Sequence, residues 1–258
     1  GFDAAVTEAD AILDALLSRI GDVTEGDPWL KLYVYGSPGA GKTTWTATAP
    51  NFLLYNVERG AKVLKGHKNL ITGNSKALAY TSSFQAKQIV KYLREGHPAF
   101  DQYETFIVDS GSELQQKFNK ELITEALKHD PTWDPTKMPD GGWNQSTQFM
   151  KDFFDDLRAL DRHVIVTGHV KEETDQSTGR LLIRPNLTPK VTEAMAGIFD
   201  AVCYLERQED AEGKEIRVLR VHPTTKPTSI MAKTRISGLE PLLVNSSFDT
   251  LLTAYNNQ

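Results

Sequence analysis

Gly36, Gly39, Gly41, Lys42 and Thr43 stand in the order G-x-x-x-x-G-K-[ST] inside YVYGSPGAGKTTW, residues 33–45. That spacing serves the binding of phosphate. Glycines let successive main-chain N–H groups turn inward around a β-phosphate, and the amino end of the helix that follows adds partial positive charge. The lysine reaches the β- and γ-phosphates, and the threonine hydroxyl is placed to ligate Mg²⁺. Gly36, Ser37, Pro38, Gly39, Ala40, Gly41, Lys42, Thr43 and Thr44 are therefore expected to hold ATP with Mg²⁺. An accidental glycine turn would rarely set GKT between an apolar strand and a predicted helix.

A phosphate loop needs an acid on the metal side. The run ETFIVDS puts Asp109 at the carboxyl end of an apolar strand, which makes it the Walker B candidate and, with Thr43, the metal-side pair. The bland alternative is an aspartate that only caps the next helix. Ser110, not glutamate, follows it, so the tandem acidic pair of AAA+ enzymes is absent and the catalytic base must lie elsewhere. Glu58 ends the strand after the phosphate-loop helix, at the sheet edge that faces the nucleotide in a parallel α/β fold. A glutamate there can orient and deprotonate water, or it can be a solvated residue paired with Arg59 or Lys62. His169 ends VIVTG at the same edge, where an imidazole can touch a γ-phosphate or simply be satisfied at the surface.

Positioning these groups calls for alternating strands and helices. Four apolar runs, LKLYVYG, NFLLYNVE, ETFIVDS and HVIVTGH, read as buried parallel strands separated by helical stretches. Beyond His169 the pattern changes to two hairpins, in 170–187 and 201–221, each turning at a polar, glycine-containing segment. The predicted fold is an α/β nucleotide-binding core with a twisted, mostly parallel sheet, flanking helices and antiparallel strands near the carboxyl end. The expected division is one domain, with a helical appendage at 1–28, a nucleotide-binding core at 29–206 and strands with a helix at 207–258. In the appendage, Ile12, Leu13, Leu16, Leu17 and Ile20 share one helical face.

Composition narrows the partners. The 258 residues carry a net charge of −5, so no overall positive field draws the chain to nucleic acid, and any DNA contact must be local. A single cysteine, Cys203, permits no internal disulfide and suggests a reducing, cytoplasmic setting. No apolar run approaches the ~20 residues of a membrane span, so no membrane partner is expected. The segment HDPTWDPTKMPDGGWNQS reads as an irregular loop whose Trp133 and Trp143 could stack on bases, against the acids Asp130, Asp134 and Asp140. Residues 216–239 hold Arg217, Arg220, Lys226, Lys233 and Arg235 and predict a basic surface. Lys233 and Arg235 are two apart, so on a strand both would project from one face and could grip one polyphosphate. A solvated edge strand is the plainer alternative.

The succession GSPGAGKTT, LLYNVE, FIVDS and VIVTGH resembles the core of RecA-like recombinases, and most of all the compact phage versions that act as ATP-dependent single-strand annealing proteins. The resemblance spans roughly residues 30 to 240. It implies that Glu58 is the catalytic glutamate and that His169 stands where a polar sensor, usually glutamine, ends its strand. It assigns single-stranded DNA to loops near 129–145 and 170–182. It likens Lys233 and Arg235 to two basic residues that reach into the ATP site of the adjacent subunit, and Phe2 with Ala5 to the F-x-x-A element that docks protomers. The implied activity is a DNA-dependent ATPase of recombination or annealing, working as a ring or filament with ATP sites at subunit interfaces, with a single-strand DNA-binding protein as a further partner. The alternative is a P-loop motor or switch acting on protein or duplex DNA.

Overall fold

The computed structural model describes residues 27–67 and 73–258, and of the preceding segment Leu13 alone. The amino-terminal helix and the F-x-x-A spacing lie outside the described residues. Strand β1 (Lys31–Gly36) runs through the middle of the sheet, its six residues all buried. It pairs in parallel with β5 (His163–Thr174) on one side and β7 (Ala201–Glu209) on the other. Beyond β5 the parallel order continues through β4 (Thr105–Asp109), β2 (Phe52–Asn56) and β3 (Lys76–Ala79). On the far side of β7 the sheet turns antiparallel, through β8 (Glu215–Arg220) and β11 (Leu242–Val244), while of the two-residue strands β9 (Ser229–Ile230) and β10 (Lys233–Thr234) the second also pairs antiparallel with β7. The strand that precedes the phosphate loop and the strand that ends in Asp109 are thus separated by β5.

Alternation along the strands builds two cores. Tyr33 and Tyr35 face one layer with Phe106, Val108, Val164 and Val166, which the helices α2 (Ser83–Arg94), α3 (Gly111–His129), α4 (Gly142–Arg158) and α5 (Pro189–Ile198) cover. Leu32 and Val34 face the other with Ile107 and Ile165, covered by the short α1 (Lys42–Thr46) and by α6 (Phe248–Asn256). Strands buried on both faces read as continuous apolar runs, which is why four of them stood out in the sequence. Packing is tight at one crossing: a Cβ on Gly168 would lie 2.1 Å from the Tyr33 hydroxyl, so only glycine lets that ring seat against β5.

Both predicted hairpins are present. One joins β5 to β6 (Leu181–Pro185), the other β7 to β8. The structure revises three expectations. β5 does not end at His169 but continues five residues into the first hairpin. β7 is a parallel neighbour of β1 as well as the first arm of its hairpin, and it crosses the boundary expected at 206. β3 was missed, because KALA is a mostly exposed edge strand with no apolar run to announce it.

Candidate active site

Residues 36–44 wrap the carboxyl end of β1 as the sequence requires. Gly39 and Gly41 adopt φ of 78° and 93°, a region that glycine enters without the Cβ clash that burdens other residues. At Gly36 the constraint is steric, since a Cβ would come 2.2 Å from the Leu205 carbonyl oxygen. Lys42 Nζ donates to the carbonyls of Gly36 and Ser37 at 2.9 and 3.0 Å, which ties the ammonium across the loop. Burial pulls the Lys42 pKa down, and the nearby charges of Glu58 and Asp109 oppose that pull.

Asp109 is buried at the end of β4, and both carboxylate oxygens are taken. Thr43 Oγ1 donates to Oδ2 at 2.8 Å, and Thr167 Oγ1 donates to Oδ1 at 2.5 Å. Burial raises the Asp109 pKa, and the Thr167 hydrogen bond works against it. Helix capping is not its task, because the Ser110 hydroxyl accepts the Glu113 amide as the cap of α3. The metal fit follows from the donor set. Among the described residues no cluster of three or more His, Cys, Asp or Glu is arranged to hold an ion. A hard hydroxyl and carboxylate pair, completed by phosphate oxygens and water, is how Mg²⁺ is commonly held. Thr43 and Asp109 fit that ion.

Glu58 lies just past β2, where the carbonyl of Asp109 accepts the amides of both Val57 and Glu58 at 2.8 and 2.9 Å. Its Oε1 is 2.9 Å from His169 Nε2. Burial tends to raise the Glu58 pKa, but the His169 and Ser110 contacts outweigh it and leave the carboxyl below its usual value. The same contact with Glu58 raises the His169 pKa, against burial. Both shifts favour the charged forms of the pair, and the ionised form of the glutamate is the one a base requires. His169 N donates to Ser112 Oγ at 3.0 Å, which fixes β5 to the first turn of α3.

Pro38, Gly39, Lys42, Thr43, Thr44, Glu58, Asp109 and His169 line one cavity of about 320 Å³. Val63 and Arg217 line it too, and sequence reasoning did not place either there. Thr167 was also missed, although a threonine inside the apolar run VIVTG was a legible signal. Lys233 and Arg235 do not reach this cavity. Lys233 pairs with Val202 near the amino end of β7, and its Nζ donates to the Phe199 carbonyl at 2.6 Å. Arg235 donates to the Gly197 carbonyl at 3.0 Å, so the two cations sit on carbonyls at the carboxyl end of α5. The stretch 216–239 is therefore not one basic surface: Arg217 and the Lys233–Arg235 pair serve opposite ends of the sheet. Trp143 is not in a loop but in the first turn of α4, where it is 58 % exposed, while the half-buried Trp133 donates its indole N–H to the Lys137 carbonyl.

A glycine-rich loop after the central strand, an aspartate two strands away and a glutamate on the strand beyond define a phosphate-loop nucleoside triphosphatase domain. Comparison with protein families agrees: the pattern described as an AAA domain matches residues 29–236, and the chain belongs to that family. It is accordingly a P-loop ATPase of the kind that uses ATP with Mg²⁺. No curated protein matches the chain. Within the family it carries Ser110 where a second acid would stand, and Glu58 supplies a carboxylate from the neighbouring strand. Among the described residues no helix is long and apolar enough to cross a membrane.

Proposed function

We propose that this chain is a RecA-like, DNA-dependent ATPase that binds single-stranded DNA and promotes strand annealing or recombination as an oligomer. One observation carries the reading. A second cavity, of about 330 Å³, adjoins the ATP site and brings together Trp143 from α4, Lys171 from β5, ion-paired there with Glu173, and the amides of Gln116, Asn119 and Asn186. An exposed indole stacks on any base, an ammonium answers a phosphate, and amides hydrogen-bond base edges. Ser112 lines this cavity while its hydroxyl accepts the His169 amide, so the two cavities share a wall. When bound, Mg²⁺ would neutralise the phosphates. The chain's own contributions are Lys42 on the polyphosphate, Glu58 on the attacking water and His169 beside the γ-phosphate.

In this reading Lys233 and Arg235 act on a neighbouring subunit's ATP, leaving the α5 carbonyls on assembly, and the working form is a ring or filament in the cytoplasm, of the host if phage-encoded, served by a single-strand DNA-binding protein. The test is the ATPase rate with and without single-stranded DNA, for wild type and Trp143→Ala. Stimulation is expected in the first and not in the second. A rate that answers to duplex DNA or to a protein but not to single strands transfers the chain to the motor or switch class. For the trans residues, Arg235→Ala and Glu58→Gln subunits, each inactive alone, should recover ATPase when assembled together.

A further inference from the structure

Arg217 enters the nucleotide cavity from an unexpected direction. It stands on β8, the strand that the second hairpin folds back against β7, and its partner across the ladder is Arg207, two residues beyond Leu205, whose carbonyl abuts Gly36 at the end of β1. The hairpin therefore overshoots the carboxyl edge of the parallel sheet and carries Arg217 over the phosphate loop. Contact with the loop is direct: a Cβ on Gly41 would lie 2.4 Å from Arg217 Nε and 3.2 Å from its Cζ, so the guanidinium rests where any other residue's side chain would begin.

The root of this side chain is fixed. Arg217 N donates to Asn245 Oδ1 at 2.9 Å, and Asn245 N donates to the Arg217 carbonyl at 2.7 Å. Its tip is not committed. Arg217 Nε is buried and finds no hydrogen-bond partner among the described residues. The nearest acid, Glu215 Oε1, is 3.8 Å from Nη2 and is held more closely, at 2.9 Å, by Arg207. Guanidinium carries five N–H donors in a rigid fork, and a buried donor left unmade is costly. The ligand class that uses such a fork beside a glycine-rich loop is phosphate.

Resting on the nucleotide reading of this cavity, we propose that Arg217 is a polyphosphate-binding residue supplied in cis, completing each ATP site from within its own chain. Lys42 and Arg217 then hold the phosphates between them, and ligand binding is felt directly by the β7–β8–β11 flank of the sheet.

The test pairs Arg217→Gln with Arg217→Lys and measures Mg-ATP and Mg-ADP affinity by calorimetry. The glutamine variant is expected to bind both about tenfold or more weakly, the lysine variant to recover part of the loss, and the thermal midpoint without nucleotide to stay at the wild-type value. In unmodified protein the Arg217 Nε–H resonance should shift on addition of Mg-ADP, which requires no variant to fold. Arg217→Gln subunits mixed with Lys42→Ala subunits should hydrolyse ATP no better than the Arg217→Gln subunits alone, because a cis arginine cannot be lent. Wild-type affinity in Arg217→Gln, an Nε–H resonance unmoved by Mg-ADP, or recovery of activity in the mixture overturns the proposal. A wild-type protein that binds no Mg-ATP instead overturns the nucleotide reading beneath it.

Discussion

The two ends of the parallel strands both carry charged side chains and use them in opposite ways. At the carboxyl ends the carboxylates meet side chains, His169 against Glu58 and Thr43 and Thr167 against Asp109, beside the cavity that Thr43, Glu58, Asp109 and His169 line; Lys42 is the exception, resting on the Gly36 and Ser37 carbonyls of the phosphate loop. At the amino ends, charge meets backbone. Lys31 Nζ donates to the Leu160 and Arg162 carbonyls at 2.7 Å each, Lys233 to Phe199 and Arg235 to Gly197. A cation spent on carbonyls closes a loop or a helix end, whereas carboxylates held by hydroxyls still have coordinating capacity for an ion. The carboxylates, held by hydroxyls and imidazole at one edge only, tell the working edge from the structural one.

Substitutions at the carboxyl edge should therefore damage turnover before stability. Lys42→Ala is expected to lower ATPase by ~10³-fold or abolish it, with circular dichroism and thermal midpoint little changed, and a variant with wild-type ATPase would dissolve the contrast. Glu58→Gln keeps the shape and removes the proposed base, so nucleotide should still bind in a filter or calorimetric assay while turnover falls ~100-fold. Thr167→Val tests the support behind the metal-side acid. It leaves Asp109 Oδ1 unpaired in a buried place, which predicts an ATPase loss of about tenfold together with about 1–3 kcal/mol of stability measured by urea.

In the dilute, unassembled protein, effects at the amino edge should appear in stability alone. Burial pulls the Lys31 ammonium down to about 8, and Lys233 likewise to about 8. Between about pH 8 and the ordinary lysine value of 10.5, the folded chain has released these protons while the unfolded chain still holds them. Stability should rise with pH across that window through this linkage, and Lys31→Met should flatten the rise in urea midpoints compared between pH 8 and pH 9.5. The smallest effect belongs to Arg235→Ala, an exposed contact to one carbonyl worth about 0.5–1 kcal/mol, with ATP affinity of the dilute protein unchanged. A large loss of affinity there would mean that the amino edge, too, belongs to the site.

What could be read from the sequence was what is contiguous or repeats with strand period. The phosphate loop is one unbroken stretch, and Asp109 and Glu58 each end an apolar run, so their common edge follows from parallel pairing. Arg217 could not be found this way. Its place over Gly41 depends on how far the β7–β8 hairpin overshoots β1, which no local pattern encodes. Trp143 was given to a loop because glycines at 141 and 142 looked like a break, whereas Gly141, with φ of 73°, starts α4. Lys233 and Arg235 were read for their charge, but the carbonyls that hold them come from a helix more than thirty residues earlier.

One carbonyl oxygen sets a mechanical tolerance for the whole site. The Asp109 C=O carries the amides of Val57 and Glu58, while the side chain of the same residue holds the Thr43 hydroxyl. Glu58, the Asp109 carboxylate and the Thr43 end of the loop are thus dimensioned from a single datum, so a displacement of the β4 terminus moves all three together and leaves their mutual spacing intact. Substitutions deep under that terminus should then be tolerated as a common offset, whereas a change to any one branch from the datum alters a spacing and cannot be absorbed by the others.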